Sequence, residues 1–360
     1  MIPIGTRSDR SQCPPSLAKV VILRGQKRIA VVQPLPGIGD MIWHLPHIRA
    51  IAAYAGNSVT LITKPRSAAD QLLGADPAVA DVFWVDRNPE DRPGRHDGLF
   101  GQARFIRDLR ARDFEAVVVL HHSHTLAFAA MAAGIPRRLG YGYGLQRRFL
   151  NNPPFLPADA LPLHPFEQAT AWLKLAGIPM AETEPLLAVS ASASAALATR
   201  LAGRGKPYVT VGIGSSEPYK QWGAIRFAEL IAALAGIGWR TIVLVGGPAE
   251  AGLANEILRL LGNNAAVVLP AIGWKLPELA ALFAQAEFYV GNDTGVMNMA
   301  AASGIQTYGL FGGTAPFGHA SRIVPVLPPD GRIDKADGMA RIDVTHVLRA
   351  IQADRGSLAG

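Results

Sequence analysis

Two kinds of hydrophobic pattern alternate along the chain: short β-branched runs bounded by turn residues, and longer stretches with apolar residues every three or four positions. The first run, 28–32, leads into Gln33-Pro-Leu-Pro-Gly-Ile-Gly-Asp40, after which Met41, Leu45, Ile48 and Ala52 recur at helical spacing up to Gly56. Strand, glycine turn and helix in this order open a doubly wound α/β domain. Further runs predict strands over 59–63, 82–85 and 116–120, with a helix over 102–112 between the last two. Phe166, Ala169, Trp172 and Ala176 then share one side of a helix over 166–177.

Between 178 and 205 the composition shifts to proline, glutamate and a Ser/Ala run ending in Gly203-Arg-Gly205. Clean alternation resumes at Lys206, predicting strands over 208–213, 241–245, 266–269, 287–290 and 307–311 with helices between them. Asp343 is placed to cap a last helix bearing Val344, Val347, Leu348 and Ile351. The expected organisation is an irregular segment over 1–26, an N-terminal Rossmann-like domain over 27–185, and a linker over 186–205. A second α/β domain follows over 206–340, then a C-terminal helix in 341–360. Two such halves imply a cleft with ligands at the strand C-termini.

Composition narrows the function classes. With 49% hydrophobic and 18% charged residues over 360 positions, the chain is core-rich and long enough for two domains. A lone cysteine, Cys13, leaves no internal disulfide framework and fits a reducing compartment. Arg7, Asp9 and Arg10 interrupt the N-terminal stretch, so no signal peptide is expected, and no apolar run is long enough to span a bilayer. A net charge of +7 suits anionic partners: nucleotides, acidic glycolipid or a membrane surface. Arginines cluster at Arg104, Arg107, Arg110 and Arg112 and again at Arg137, Arg138, Arg147 and Arg148, but no nucleic-acid-binding motif accompanies them. His121, His122 and His124 sit at one strand end; adjacent side chains diverge and no carboxylate is spaced to complete a metal site, so they are expected to line a polar pocket. The stretches 137–143 and 147–154, rich in Gly, Pro, Tyr and Arg, are expected to be substrate-facing loops.

The candidate chemistry lies in the second half, where four successive strand ends carry polar loops. Gly214-Ser-Ser216 with Lys220 offers hydroxyls, amides and an ammonium to an oxyanion. Gly246-Gly-Pro-Ala-Glu250 brings a carboxylate to a helix start, where it can accept from ribose hydroxyls. Trp274 follows the third strand as an aromatic able to lie along a nucleobase. Asp293-Thr-Gly295 then opens a small-residue helix, a ready site for phosphate. Each loop alone also reads as a cap, a turn or a core aromatic. Together, on one edge of one sheet, they describe a nucleoside-diphosphate pocket. In the first half, Asp40 is either a plain N-cap carboxylate or a carboxylate held at the mouth of the sheet.

Gly37-Ile-Gly-Asp40 with Leu45-Pro46, Gly214-Ser-Ser-Glu-Pro-Tyr-Lys-Gln-Trp222, Val245-Gly-Gly-Pro-Ala-Glu250 and Gly291-Asn-Asp-Thr-Gly295 together resemble glycosyltransferase family 9, the heptosyltransferases of bacterial lipopolysaccharide core assembly. The resemblance runs from about Arg28 to Phe311. It implies the GT-B fold, two Rossmann-like domains facing across a cleft with the donor on the C-terminal one, and inverting transfer without a metal. It also implies that the last helix packs back on the N-terminal domain. Carried over by motif, Asp40 resembles the family's general base and Ser215, Ser216 and Lys220 its diphosphate ligands. Glu250 resembles its ribose partner, and Asp293, Thr294 and Gly295 its second phosphate clamp.

No cofactor is implied; an ADP-heptose-like nucleotide sugar is the co-substrate. The acceptor is a saccharide or a lipid-linked saccharide, met by a monomer in the cytoplasm with peripheral contact to the inner membrane. One departure stands out: Asn298 occupies a position where the family commonly has histidine. Asparagine can donate a hydrogen bond but carries neither a proton nor a charge, which bears on the donor sugar and on turnover. The rival readings are a nucleotide-sugar epimerase of the same fold and a non-catalytic nucleotide-sugar-binding protein. A nicotinamide dehydrogenase is disfavoured, since the third glycine of its fingerprint and the acidic residue after the second strand are missing.

Overall fold

The computed structural model describes residues 23–88, 92–318 and 320–358. Cys13 and nearly all of the segment expected to be irregular lie outside the described residues. In chain order the first half comprises β1 (Ile29–Val32), α1 (Ile38–Ala55), β2 (Val59–Thr63), α2 (Ala69–Leu73), β3 (Val79–Trp84), α3 (Gly98–Ala111), β4 (Ala116–Val119), α4 (His124–Ala132), β5 (Arg137–Gly140) and α5 (Pro165–Ala176). Its five strands are all parallel, in the order β3-β2-β1-β4-β5. The strands β1 and β4 are buried throughout, which is why they read as unbroken apolar runs.

After α6 (Ala191–Arg200) the second half runs β6 (Val209–Gly212), α7 (Ala224–Gly236), β7 (Ile242–Gly246), α8 (Ala251–Leu261), β8 (Val268–Ile272), α9 (Leu276–Phe283), β9 (Phe288–Asn292), α10 (Gly295–Ala302), β10 (Gln306–Leu310), β11 (Ile323–Val326), α11 (Gly338–Arg341) and α12 (Val344–Leu358). Its strands are also parallel, ordered β11-β10-β9-β6-β7-β8. In each sheet the strand order reverses beside the first strand, between β1 and β4 and between β6 and β9. Ligands of open parallel sheets collect outside such a reversal, at the strand C-termini. The two-sheet α/β architecture expected from the sequence is the one observed.

The halves meet through α1 and α10, and one apolar cluster runs from Met41, Leu45 and Ile48 to Met297, Met299 and Ala300. Glycine makes this approach possible by lacking a Cβ: an added methyl on Gly295 would lie 3.0 Å from the Ile38 Cβ and 3.1 Å from the Gly39 amide nitrogen.

Three expectations need correction, and one strand was not foreseen. The stretch 186–205 is not only a linker: Ser190 caps α6 by accepting from the Ala193 N–H, and Leu197 is buried there, with α6 packed on α9. Residues 137–140 form the edge strand β5, which Arg137 and Arg138 disguise because they stay partly exposed. The strand β11 contains Pro325, which is tolerated at a sheet edge but masks the run. Finally, α12, which Asp343 caps through the His346 N–H, packs, as far as its side chains are described, against its own domain. It buries Val347 and Ile351 in the second core, beside α7, β10 and β11.

Candidate functional site

A cavity of about 650 Å³ lies between the two C-terminal sheet edges, walled by Pro36–Asp40, Trp43, Arg66 and His164 from the first domain. From the second come Ser216, Lys220, Asp293–Asn298, Phe311 and Thr314–Phe317. Helix α1 starts here because Gly37 turns the chain and the Asp40 carboxylate (Oδ2) accepts the Gly37 N–H at 3.1 Å. That cap holds the carboxylate at the cavity wall. Burial pushes the Asp40 carboxyl above its ordinary value, with the Gly37 N–H and the nearby His164 pulling the other way. A base needs a raised proton affinity to take a proton from a hydroxyl.

The opposite wall carries an ion pair. Lys220, at the end of a 3-10 turn after β6, donates from Nζ to the Asp293 carboxylate (Oδ2) at 2.6 Å, and the Thr314 hydroxyl donates to the same oxygen at 2.6 Å. Asp293 therefore fixes the ammonium and the 314–317 loop. As a carboxylate it accepts and cannot donate to a phosphate. Thr294 caps α10, its Oγ1 accepting the Met297 N–H at 3.4 Å, which leaves the Gly295 and Val296 backbone at the cavity wall. The N-terminal turns of α1 and α10 thus converge on one space, and both helix dipoles favour an anion there.

Asn298 is buried, yet it reaches both domains. Its Oδ1 accepts the Trp43 Nε1–H at 2.9 Å, and its Nδ2 donates to the Thr294 carbonyl at 3.1 Å. Phe317 crosses in the other direction, stacking on His164 with ring centroids 4.0 Å apart and lying 5.8 Å from Trp43. His164 is the N-cap of α5, its Nδ1 accepting the Phe166 N–H. Burial lowers its proton affinity, against the pull of Glu167 and Asp40.

Of the residues the sequence singled out, Asp40, Ser216, Lys220, Asp293, Thr294, Gly295 and Asn298 line this cavity. Ser215 is turned away, its hydroxyl donating to the Glu217 carbonyl at 2.6 Å. Glu250 is not among the residues that line the cavity: its Oε2 accepts the Gly247 N–H at 2.7 Å, and a Cβ on Gly214 would lie 3.9 Å from its carboxylate. Trp274 is not brought to the cavity. The Arg200 guanidinium covers one face of its ring at 4.5 Å, held there by Glu278. The sequence reading missed Trp43, Arg66, His164, Thr314 and Phe317. A fifth strand-end loop, Phe311-Gly-Gly-Thr-Ala-Pro-Phe317, was legible after β10, whereas nothing in the sequence around His164 signalled a site.

A second cavity, of about 430 Å³, adjoins Pro36 on the first domain's side and is bounded by Lys64, Arg87, Asp97, His121 and Ser123. His121 stacks on His122 at 4.1 Å, and burial lowers it to about 4, so it is neutral at pH 7.

A family model described as glycosyltransferase family 9 (heptosyltransferase) matches residues 102–321. The chain is 25% identical over 351 residues to lipopolysaccharide heptosyltransferase 2 of Escherichia coli K12, covering 91% of this chain and 98% of that protein. Among solved structures, E. coli ADP-heptose lps heptosyltransferase II superposes with a TM-score of 0.73 at 21% identity, covering 93% of this chain and all of that one. E. coli heptosyltransferase WaaC with ADP-2-deoxy-2-fluoro heptose gives 0.69 at 21% identity, over 91% of this chain and 99% of the other.

Proposed function

The chain belongs to glycosyltransferase family 9, and from that premise we propose that it transfers heptose or a related sugar from an ADP-heptose-like donor to a saccharide or lipid-linked acceptor in lipopolysaccharide synthesis. The observation that carries this reading is Asp40 and Lys220 facing one cavity from opposite domains, between two converging helix N-termini. The solved relative holding an ADP-heptose analogue supports the donor class.

In the proposed step the acceptor hydroxyl gives its proton to Asp40 as its oxygen bonds to the anomeric carbon. The bond from that carbon to the diphosphate oxygen breaks, and the electron pair leaves with the nucleoside diphosphate. Attack from the side of Asp40 and departure toward Lys220 invert the carbon. The leaving charge meets the Lys220 ammonium and the amides of Gly295 and Val296, fixed donors of the kind that supplies much of catalysis. These groups do the work a cation does elsewhere, so transfer is expected to persist in a chelator. We assign Ser216 to the diphosphate, Glu250 to the ribose and Ser215 to the shape of the loop. The second cavity suits the acceptor, with Lys64, Arg66 and Arg87 offering charge to acidic groups. The enzyme works on the cytoplasmic face of the inner membrane as a monomer.

The test is Asp40→Ala, assayed for transfer and for ADP binding. Transfer is expected to fall about 10²–10⁴-fold while ADP still stabilises the protein against heat. Near wild-type transfer by that variant would remove Asp40 as the base. Product formed from donor alone, as epimer, would replace the reading with an epimerase.

A further inference from the structure

The helix α3 carries an outward face that the site does not use. Leu99 and Phe100, in its first turn, are 87% and 91% exposed. At 3.6 residues per turn, Leu99, Phe100, Ala103, Arg104, Arg107 and Arg110 fall within an arc of about 140°, and all are exposed. The opposite side, Gly101, Phe105 and Leu109, is buried against the domain. The helix has one acid, Asp108, at the border of the arc, where it pairs with both Arg107 and Arg95. Among the described residues, Arg104 and Arg110 reach only backbone carbonyls, of Arg95 and Ala132, and no carboxylate there cancels their charges.

We propose that this face docks the enzyme on a membrane bearing anionic lipids, with Leu99 and Phe100 entering the headgroup boundary and the arginines lying against phosphates. An exposed apolar pair at the end of a cationic helix face is the arrangement interfacial helices use, and charge complementarity selects anionic lipid over neutral lipid. Two side chains offer too little apolar area for the roughly 800 Å² per partner of a stable protein interface. The position fits the chemistry. Asp97, the N-cap of α3 and two residues before Leu99, borders the 430 Å³ cavity that adjoins the Asp40 side of the cleft. A saccharide can enter that cavity while its lipid stays in the bilayer beneath Phe100. No described helix is long and apolar enough to cross a membrane. The proposal rests on the lipid-linked reading of the acceptor.

The experiment is flotation of the full chain with phosphatidylglycerol/phosphatidylethanolamine vesicles and with phosphatidylcholine vesicles. Three proteins are compared: wild type, Leu99→Ser/Phe100→Ser and Arg104→Gln/Arg110→Gln. Wild type is expected to float with the anionic vesicles and to be released by salt. The apolar variant is expected to lose at least about tenfold in partitioning, and the arginine variant about fivefold per residue. All three retain stabilisation by ADP and transfer to a lipid-free acceptor, which guards against misfolding. Wild type that ignores anionic vesicles, or variants that float as wild type does, would overturn the proposal. So would a dimer that either variant dissolves with no change in flotation. Patch-dependent flotation by an enzyme that transfers to no acceptor would uphold the docking face and reject the acceptor reading instead.

Discussion

The indole of Trp43 donates to the Asn298 side chain at 2.9 Å, joining α1 of one domain to α10 of the other beside the wall that holds Asp40. Trp43→Phe removes this bond while keeping an aromatic ring against His164 and Phe317. It is expected to cost about 1 kcal/mol in stability. A double-mutant cycle with Asn298→Ala, read by denaturant unfolding, should give a coupling of about 0.5–1.5 kcal/mol. Strict additivity of the two changes would show that the bond contributes nothing.

Gly37 matters for space and not for torsion, since its φ of −77° suits any residue. A methyl group there would sit 2.6 Å from the Asp40 Oδ2. Gly37→Ala therefore displaces the carboxylate. We expect transfer to fall by about 10²-fold, as when a reacting group moves by an ångström, with ADP binding and melting temperature little changed. Full activity in Gly37→Ala would mean that the carboxylate need not occupy its present position.

Asp293 holds Lys220 and Thr314 at the cavity wall proposed to take the diphosphate. Asp293→Asn loses the charged partner of Lys220 and of the Thr314 hydroxyl. ADP affinity is expected to fall about tenfold, less than for Lys220→Ala, because the ammonium remains but is held less well. Calorimetric titration of ADP into both variants checks the order. An Asp293→Asn protein that binds ADP more tightly than wild type would make the carboxylate a repulsive neighbour instead.

Acid should weaken both turnover and fold, through different groups. Burial raises the Asp40 carboxyl above its ordinary value of 3.8, and the base acts only when deprotonated. The acidic limb of kcat/KM is thus expected above that value and should vanish in Asp40→Asn. For the fold, burial lowers His44 from 6.5 to about 4, and its Nδ1 donates to the Asp40 carbonyl at 2.7 Å. The unfolded chain binds more protons than the native one between those two values, so stability falls as pH drops from about 6.5 to 4, by about 3 kcal/mol from this histidine. His47, buried and lowered too, acts in the same direction. A midpoint in urea that stays constant from pH 7 to 4.5 would rule this out.

Burial and turning are encoded locally, so the sequence by itself determined the alternation of strands and helices, the two-domain organisation, and the loops of Asp40, Lys220 and Thr294 at the strand ends. Arg137 on β5 and Pro325 on β11 broke that local code, and both edge strands were missed. What only the tertiary structure decided is which side chains meet. Trp43 and Asn298 are 255 positions apart, and Phe317 reaches His164 only because the domains dock through α1 and α10. It likewise set Trp274 under Arg200, paired Asp293 with Lys220, and laid α12 on its own domain. Periodicity reports which face of an element is apolar. Packing between elements chooses which other face covers it, and that choice fixed the composition of the cleft.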